Sequence, residues 1–147
     1  MSDLINILLV EDDEGDAELT REALEDSKLA INLHIVRDGV EAINYLYRKE
    51  PYIDAPLPDL ILLDLNMPKK SGREVLAEIK QDETLKDIPV IILTTSQVGE
   101  DILRSYNLGA NCYITKPVDF AQFVNVIKNV EDFWFTIVKL PSRYKKC

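Results

Sequence analysis

Four apolar runs in this chain each stop on a residue able to do chemistry. Ile7-Leu8-Leu9-Val10 runs into Glu11-Asp12-Asp13, and Leu60-Ile61-Leu62-Leu63 runs into Asp64, with Leu65-Asn66-Met67-Pro68 behind it. Val90-Ile91-Ile92-Leu93 runs into Thr94-Thr95-Ser96, and Cys112-Tyr113-Ile114-Thr115 into Lys116-Pro117. The tips thus offer acids, a further acid, a hydroxyl and an amine. Glu11, Asp12 and Asp64 converging on one crevice would repel one another unless a cation sat among them. Mg2+ prefers oxygen ligands in octahedral geometry and keeps several waters, so two carboxylates, a backbone carbonyl and water suit it. Asp64 would keep one oxygen as a nucleophile, in the manner of aspartyl-phosphate chemistry. The metal would neutralise charge shared between Asp64 and an incoming phosphoryl group. Lys116 adds a compact positive charge for the phosphoryl oxygens, and Thr94 a hydroxyl donor. Each residue alone has an ordinary reading as a loop acid, a helix cap, a satisfied hydroxyl or a surface ion pair. Four matching tips in order leave little room for coincidence.

The elements that must position these residues alternate along the chain. Strands are expected at 6–10, 32–36, 60–64, 89–94 and 112–115, nearly all apolar, as in a parallel sheet covered on both faces. Between them lie helical patterns at 16–27 (Ala17, Leu19, Ala23, Leu24 apolar), 40–47 (Val40, Ile43, Tyr45, Leu46, Tyr47), 71–82 (Val75, Leu76, Ile79) and 99–108, with Gly109 as a C-terminal cap. A last helix starts after Asp119 as N-cap and runs to about residue 138. Asp38-Gly39 reads as a turn pair. Residues 49–58, with Pro51, Pro56 and Pro58, read as a long loop. Right-handed crossovers make five such units a doubly wound α/β sandwich. The flavodoxin-like strand order 2-1-3-4-5 fits, with ligands at the carboxyl ends of the strands.

Size and composition are consistent with this. The 147 residues suit one domain, and 46% apolar with 29% charged residues is ordinary for a globular protein. A net charge of −9 makes nucleic acid an unsuitable partner, because that binding rests on neutralising phosphates. Cys112 and Cys147 lack a metal-type spacing and point to a reducing, cytoplasmic compartment. No signal sequence or run near the roughly 20 residues of a membrane helix is present. His34, the one histidine, lies in a strand pattern and reads as structural.

With these residues assembled, the sequence resembles a receiver domain of the two-component response-regulator family. The stretches that carry the likeness are 7–13, 60–68, 90–96 and 113–117, and it spans about residues 5–130. The resemblance implies that Asp64 is the phosphoacceptor, fed by a histidine of a separate sensor kinase. It makes Asp12 the direct Mg2+ ligand, Glu11 a ligand largely through water, and Asn66 the donor of a backbone carbonyl to the metal. Thr94 matches the switch hydroxyl, Tyr113 the switch aromatic and Lys116 the phosphate-contacting lysine. The Lys116-Pro117 bond matches one that is cis in the family. Glu11 stands where many members have aspartate, and Thr95 where a smaller residue is frequent. A phosphoryl group on Asp64 would draw Thr94 towards it and open space for Tyr113, biasing a two-state equilibrium read out by the fourth helix, fifth strand and fifth helix.

Residues 1–130 form the receiver expected here, and 131–147 extend beyond it. Phe120, Phe123, Val124 and Ile127 make one apolar stripe. Val126, Val130, Phe133 and Ile137 make a second, with Trp134 and Phe135 beside it. One stripe suffices to pack on a core. The surplus suggests a partner or dimer interface at Phe133, Trp134 and Phe135, the alternative being that they fold back on their own domain. The tail, with Lys139, Arg143, Lys145 and Lys146, reads as solvated. No room remains for an output domain of roughly 50 residues or more, so a single-domain regulator is expected. The stretch 66–80, the Pro-rich loop and the Phe-Trp segment are similar to regulators that partner phytochrome-type histidine kinases and form homodimers. This reading makes the chain a phosphoacceptor and not an enzyme in its own right. The rival readings are a degenerate receiver acting as a scaffold, an aspartate-nucleophile phosphatase (which would carry a second aspartate where Asn66 stands), a nucleotide switch and a flavodoxin. The last two lack, respectively, a phosphate-binding G-x-x-x-x-G-K-[ST] loop and a phosphate-tolerant first strand tip.

Overall fold

The computed structural model describes residues 5–26, 30–65, 67, 69–94, 109, 112–116 and 121, with the backbone alone for Thr94, Cys112 and Thr115. Five strands, β1 (Ile5–Val10), β2 (Ile31–Val36), β3 (Leu60–Asp64), β4 (Val90–Thr94) and β5 (Cys112–Thr115), form one parallel sheet of order β2-β1-β3-β4-β5. The expected fold is therefore the observed one, and the strand bounds agree to within a residue. Three helices lie within the described residues: α1 (Glu14–Asp26), α2 (Gly39–Leu46) and α3 (Gly72–Gln81). The expected helix at 99–108, the helix from 120 onward except for the helical Ala121, and the whole segment 131–147 lie outside them.

Side chains alternate across the strands, and each strand feeds two apolar layers. Leu8, Val10, Ile61, Leu63, Val90 and Ile92 pack with Ile43, Leu46, Val75, Leu76 and Ile79 of α2 and α3. Ile7, Leu9, Leu60, Leu62, Ile91, Leu93 and Ile114 pack with Ala17, Ala23 and Leu24 of α1. A strand buried on both faces has no solvent side to relieve a polar residue, so β3 and β4 are apolar up to their tips, whereas the polar Asn32 and His34 lie on the half-buried edge strand β2.

Three of the expected helix contacts are corrected. Leu19 on α1, Val40 on α2 and Tyr47 at the C-cap of α2 are exposed. The inward positions are Ala17, Thr20, Ala23 and Leu24 on α1, and Ala42, Ile43, Tyr45 and Leu46 on α2. Asp38 is not part of a simple turn: it is the N-cap of α2, accepting from the Glu41 N–H at 2.8 Å. Ser71 and Glu74 form a reciprocal capping box at the start of α3. The loop at 49–58 is tied down by its tyrosines. Tyr52 Oη donates to Glu41 Oε1 at 2.6 Å, Tyr45 Oη donates to the Pro56 carbonyl at 3.2 Å, and the two rings lie 5.2 Å apart. His34 packs against Tyr45 at 5.4 Å between ring centres, a structural place as expected. Gly109 has a φ of +106°, which suits glycine at a helix end, though the helix before it lies outside the described residues. Among the described residues no helix is long and apolar enough to cross a membrane.

Candidate phosphoacceptor and metal site

The parallel register brings the tips of β1, β3 and β5 to one edge. Val10 pairs with Leu63, so Glu11 and Asp64 emerge as neighbours. Asp64 pairs with Leu93, which places Thr94 one residue beyond it at the end of β4. Thr94 in turn pairs with Thr115, one residue short of Lys116. Four separate apolar runs therefore end at a common level because their ladders are in step.

Glu11 is fully buried and is held in place by its own backbone N–H, which donates to the Val36 carbonyl at 3.0 Å. Its Oε2 accepts from the Asp13 N–H at 3.3 Å. Its Oε1 lies 2.6 Å from Lys116 Nζ but off the hydrogen-bond direction. Asp64, with 5% of its side chain exposed, has Oδ2 at 3.1 Å from Lys116 Nζ. Asp12 is exposed and open to solvent on the same edge. Glycine is required just behind Asp64: a Cβ on Gly72 would stand 2.2 Å from the Asp64 carbonyl oxygen. The start of α3 therefore presses on the Asp64 backbone, and the Gly72 N–H caps the Leu65 carbonyl at 3.0 Å.

The electrostatics follow from burial and crowding. Glu11 is pushed up to about 7, chiefly by burial and then by Asp64. Asp12 is raised by burial and by the charge of Asp64. Burial works against the charge on Lys116, but Glu11 and Asp64 outweigh it and hold its pKa above the ordinary lysine range. One ammonium thus serves a cluster with more negative charge than it can balance.

That imbalance is a test of fit for a cation. Glu11, Asp12 and Asp64 each offer a carboxylate oxygen, and these oxygens lie within 4.8 Å of one another. An all-oxygen, multiply anionic donor set suits a hard divalent ion. One of the three acids faces solvent, so the entry path is open. The cluster fits a divalent metal.

The family model of the response regulator receiver domain matches residues 7–128. The chain belongs to the response regulator receiver family. This receiver is similar to the response regulator Rcp1 of Synechocystis sp., with 48% identity over 136 residues and 92% of each chain covered. Among solved structures it resembles the phosphorylated cyanobacterial phytochrome response regulator RcpA (51% identity, TM-score 0.77, 94% of this chain and 99% of that one). It also resembles the Mn2+-bound form of Rcp1 (47%, TM-score 0.76, 94% and 99%). A third is the bacteriophytochrome response regulator AtBRR (44%, TM-score 0.80, 90% and 96%).

Of the residues expected at a receiver's centre, the structure brings Glu11, Asp12, Asp64 and Lys116 together. Thr94 ends its strand at the right level, with its side chain outside the description. Tyr113 pairs with Ile92 in the ladder and is exposed on the edge strand. Its neighbour Ile114 is buried, so an exposed Tyr113 is not an ordinary core aromatic. Asn66, Pro117, Phe133, Trp134 and Phe135 lie outside the described residues. Sequence reasoning missed one contributor, Asp16, whose Oδ2 lies 3.2 Å from Lys116 Nζ. Its only signal in the sequence is an acid in the first turn of α1, which a helix dipole also explains.

Proposed function

We propose that Asp64 accepts a phosphoryl group from a phosphohistidine of a sensor kinase, in a Mg2+-dependent reaction, and that the phosphorylated form is the signalling state. The observation that carries this reading is the near-buried Asp64 carboxylate set between Lys116 and two further acids at the open end of the sheet. An Asp64 oxygen attacks phosphorus in line, the P–O bond forms as the donor's P–N bond breaks, and the imidazole nitrogen keeps the bonding pair. Lys116 pairs with the charge that spreads over the phosphoryl oxygens. Glu11, Asp12 and Asp64, with the Asn66 backbone carbonyl, would hold Mg2+, which when bound supplies the charge neutralisation that two anions need to meet. Thr94 and Tyr113 relay the change to the surface beside β5. The chain acts on no other substrate; it supports only its own phosphorylation and dephosphorylation.

Likeness to RcpA and to bacteriophytochrome regulators supports a phytochrome-type histidine kinase as the partner. The same reading includes a cytoplasmic location and a homodimer that uses the apolar Phe133, Trp134 and Phe135 segment. The test is Mg2+-dependent reaction with acetyl phosphate, followed by intact mass and by a sizing column. The expected result is a gain of one phosphoryl group, absent with EDTA and absent in Asp64→Asn. Folded wild-type protein that gains no mass with donor and Mg2+ in excess would replace this reading with that of a phosphorylation-independent scaffold.

A further inference from the structure

We propose that Asp16 is a positioning residue that competes with the phosphoryl group for Lys116 and so weakens the phosphorylated state. This rests on the receiver reading given above. Lys116 Nζ lies 2.6 Å from Glu11 Oε1, 3.1 Å from Asp64 Oδ2 and 3.2 Å from Asp16 Oδ2. An ammonium has three N–H donors, and here three carboxylates surround it. Glu11 and Asp64 belong to the acidic cluster that fits a metal; Asp16 does not.

A phosphoryl group on Asp64 brings new oxygens that need donors, and Lys116, which donates a hydrogen bond to Asp16 Oδ2, has to turn a donor away from a carboxylate to meet them. Releasing Glu11 would take a positive charge away from a carboxylate that has no solvent access, which is costly. Releasing Asp64 would move the ammonium off the atom that bears the new group. Asp16 is the contact that yields, because its side chain is 36% exposed and water replaces the lost partner cheaply. It also stays within reach. Asp16 sits in the first turn of α1, and its N–H donates to Asp13 Oδ1 at 2.8 Å, which fixes the backbone beneath it. The contact therefore re-forms when the phosphoryl group leaves. Neutralising Asp16 frees one Lys116 donor and removes a negative charge beside the incoming anion. Both effects have the same sign.

The probe is beryllofluoride, a tetrahedral phosphoryl mimic that bonds to a carboxylate oxygen, titrated into the whole chain at fixed Mg2+ and read by fluorine NMR. Asp16→Asn is expected to lower the half-saturating concentration by about three- to tenfold. Asp16→Glu, which keeps the charge and can reach Lys116, is expected to stay near wild type. Glu14→Gln removes a charge in the same turn, from a residue that makes no ion pair among the described residues, and is expected to stay near wild type as well. With acetyl phosphate, Asp16→Asn should lower KM and leave kcat within about twofold, a split that a general loosening of α1 would not produce. A bound signal in wild type that is unchanged or weaker in Asp16→Asn would overturn the role of Asp16 alone. An equal gain in Glu14→Gln would overturn it too, by reducing the effect to bulk charge. No bound signal in folded wild type would overturn the receiver reading, and Asp16 with it.

Discussion

Two cations of this domain sit among carboxylates in opposite surroundings. Lys116, at the tip of β5, has 9% of its side chain exposed and faces Glu11, Asp16 and Asp64. Arg21, midway along α1, is 40% exposed and pairs with Glu18 and Glu25, one turn to either side. The geometry at Arg21 is the better of the two, with donors aligned on both partners. Its contribution is nonetheless the smaller, because water already satisfies those charges and salt screens them. Lys116, Glu11 and Asp64 have little water to fall back on. Proximity and alignment alone therefore rank ion pairs poorly. What ranks them is what each group would lose if its partner vanished.

Lys116→Met breaks the buried set and leaves Glu11 and Asp64 facing each other. Urea unfolding in EDTA should show a loss of about 3–5 kcal/mol, the range for removing one partner of a buried pair. Added Mg2+ should restore part of it, since a bound cation would replace the missing positive charge. A loss equal to that of an exposed ion pair would erase the distinction between the two regions.

A middle-sized effect is expected from pH. Metal-free Glu11 titrates near 7 instead of near its ordinary 4.5. A carboxyl raised in the folded state stabilises most below 4.5, and that contribution is lost as pH climbs through 7. Metal binding reverses the preference, because the cation must displace the proton. Mg2+ affinity should therefore fall by up to about tenfold per pH unit below 7 and level off above it. Calorimetric titrations between pH 5.5 and 8 check this, and Glu11→Gln should flatten the profile.

The smallest effect is Arg21→Ala. Its unfolding midpoint should be inseparable from wild type at physiological salt, whereas the Lys116→Met loss should persist in high salt. A clear, salt-sensitive destabilisation from Arg21 would mean that the α1 surface network contributes more than its exposure suggests.

Much of this was legible in the sequence because the strands are apolar on both faces. A run such as Leu60–Leu63 has sharp ends, and its first polar residue must lie at the sheet's rim. That reading placed Asp64, Glu11 and Lys116 correctly. Helices were less transparent. Leu19 is apolar, yet it faces solvent, because the periodicity that turns Ala17, Thr20 and Leu24 inward turns position 19 away. Asp38-Gly39 was ambiguous because turns and N-caps both use an aspartate side chain to accept from a nearby N–H. Asp16 was invisible for a different reason. Its partner lies 100 residues away, and only the folded register brings α1 to the tip of β5.

The central strand carries one more consequence. Leu60, Ile61, Leu62 and Leu63 are all completely buried, two facing each layer. Shifting a strand by one residue swaps its faces, but here leucines and isoleucine would meet either layer almost equally well. Alignment must come from the ends. Asp59 clamps one end: its N–H donates to the Asn6 carbonyl at 2.7 Å, and its Oδ2 accepts from the Asn6 N–H at 2.9 Å. Asp64 closes the other, beside Lys116. A slip in one direction drags Asp59 into an oily layer, and a slip in the other pulls Asp64 there. The residue proposed to accept the phosphoryl group is thus also an end-stop for chain assembly, guarding against misthreading of the strand on which the whole sheet is centred.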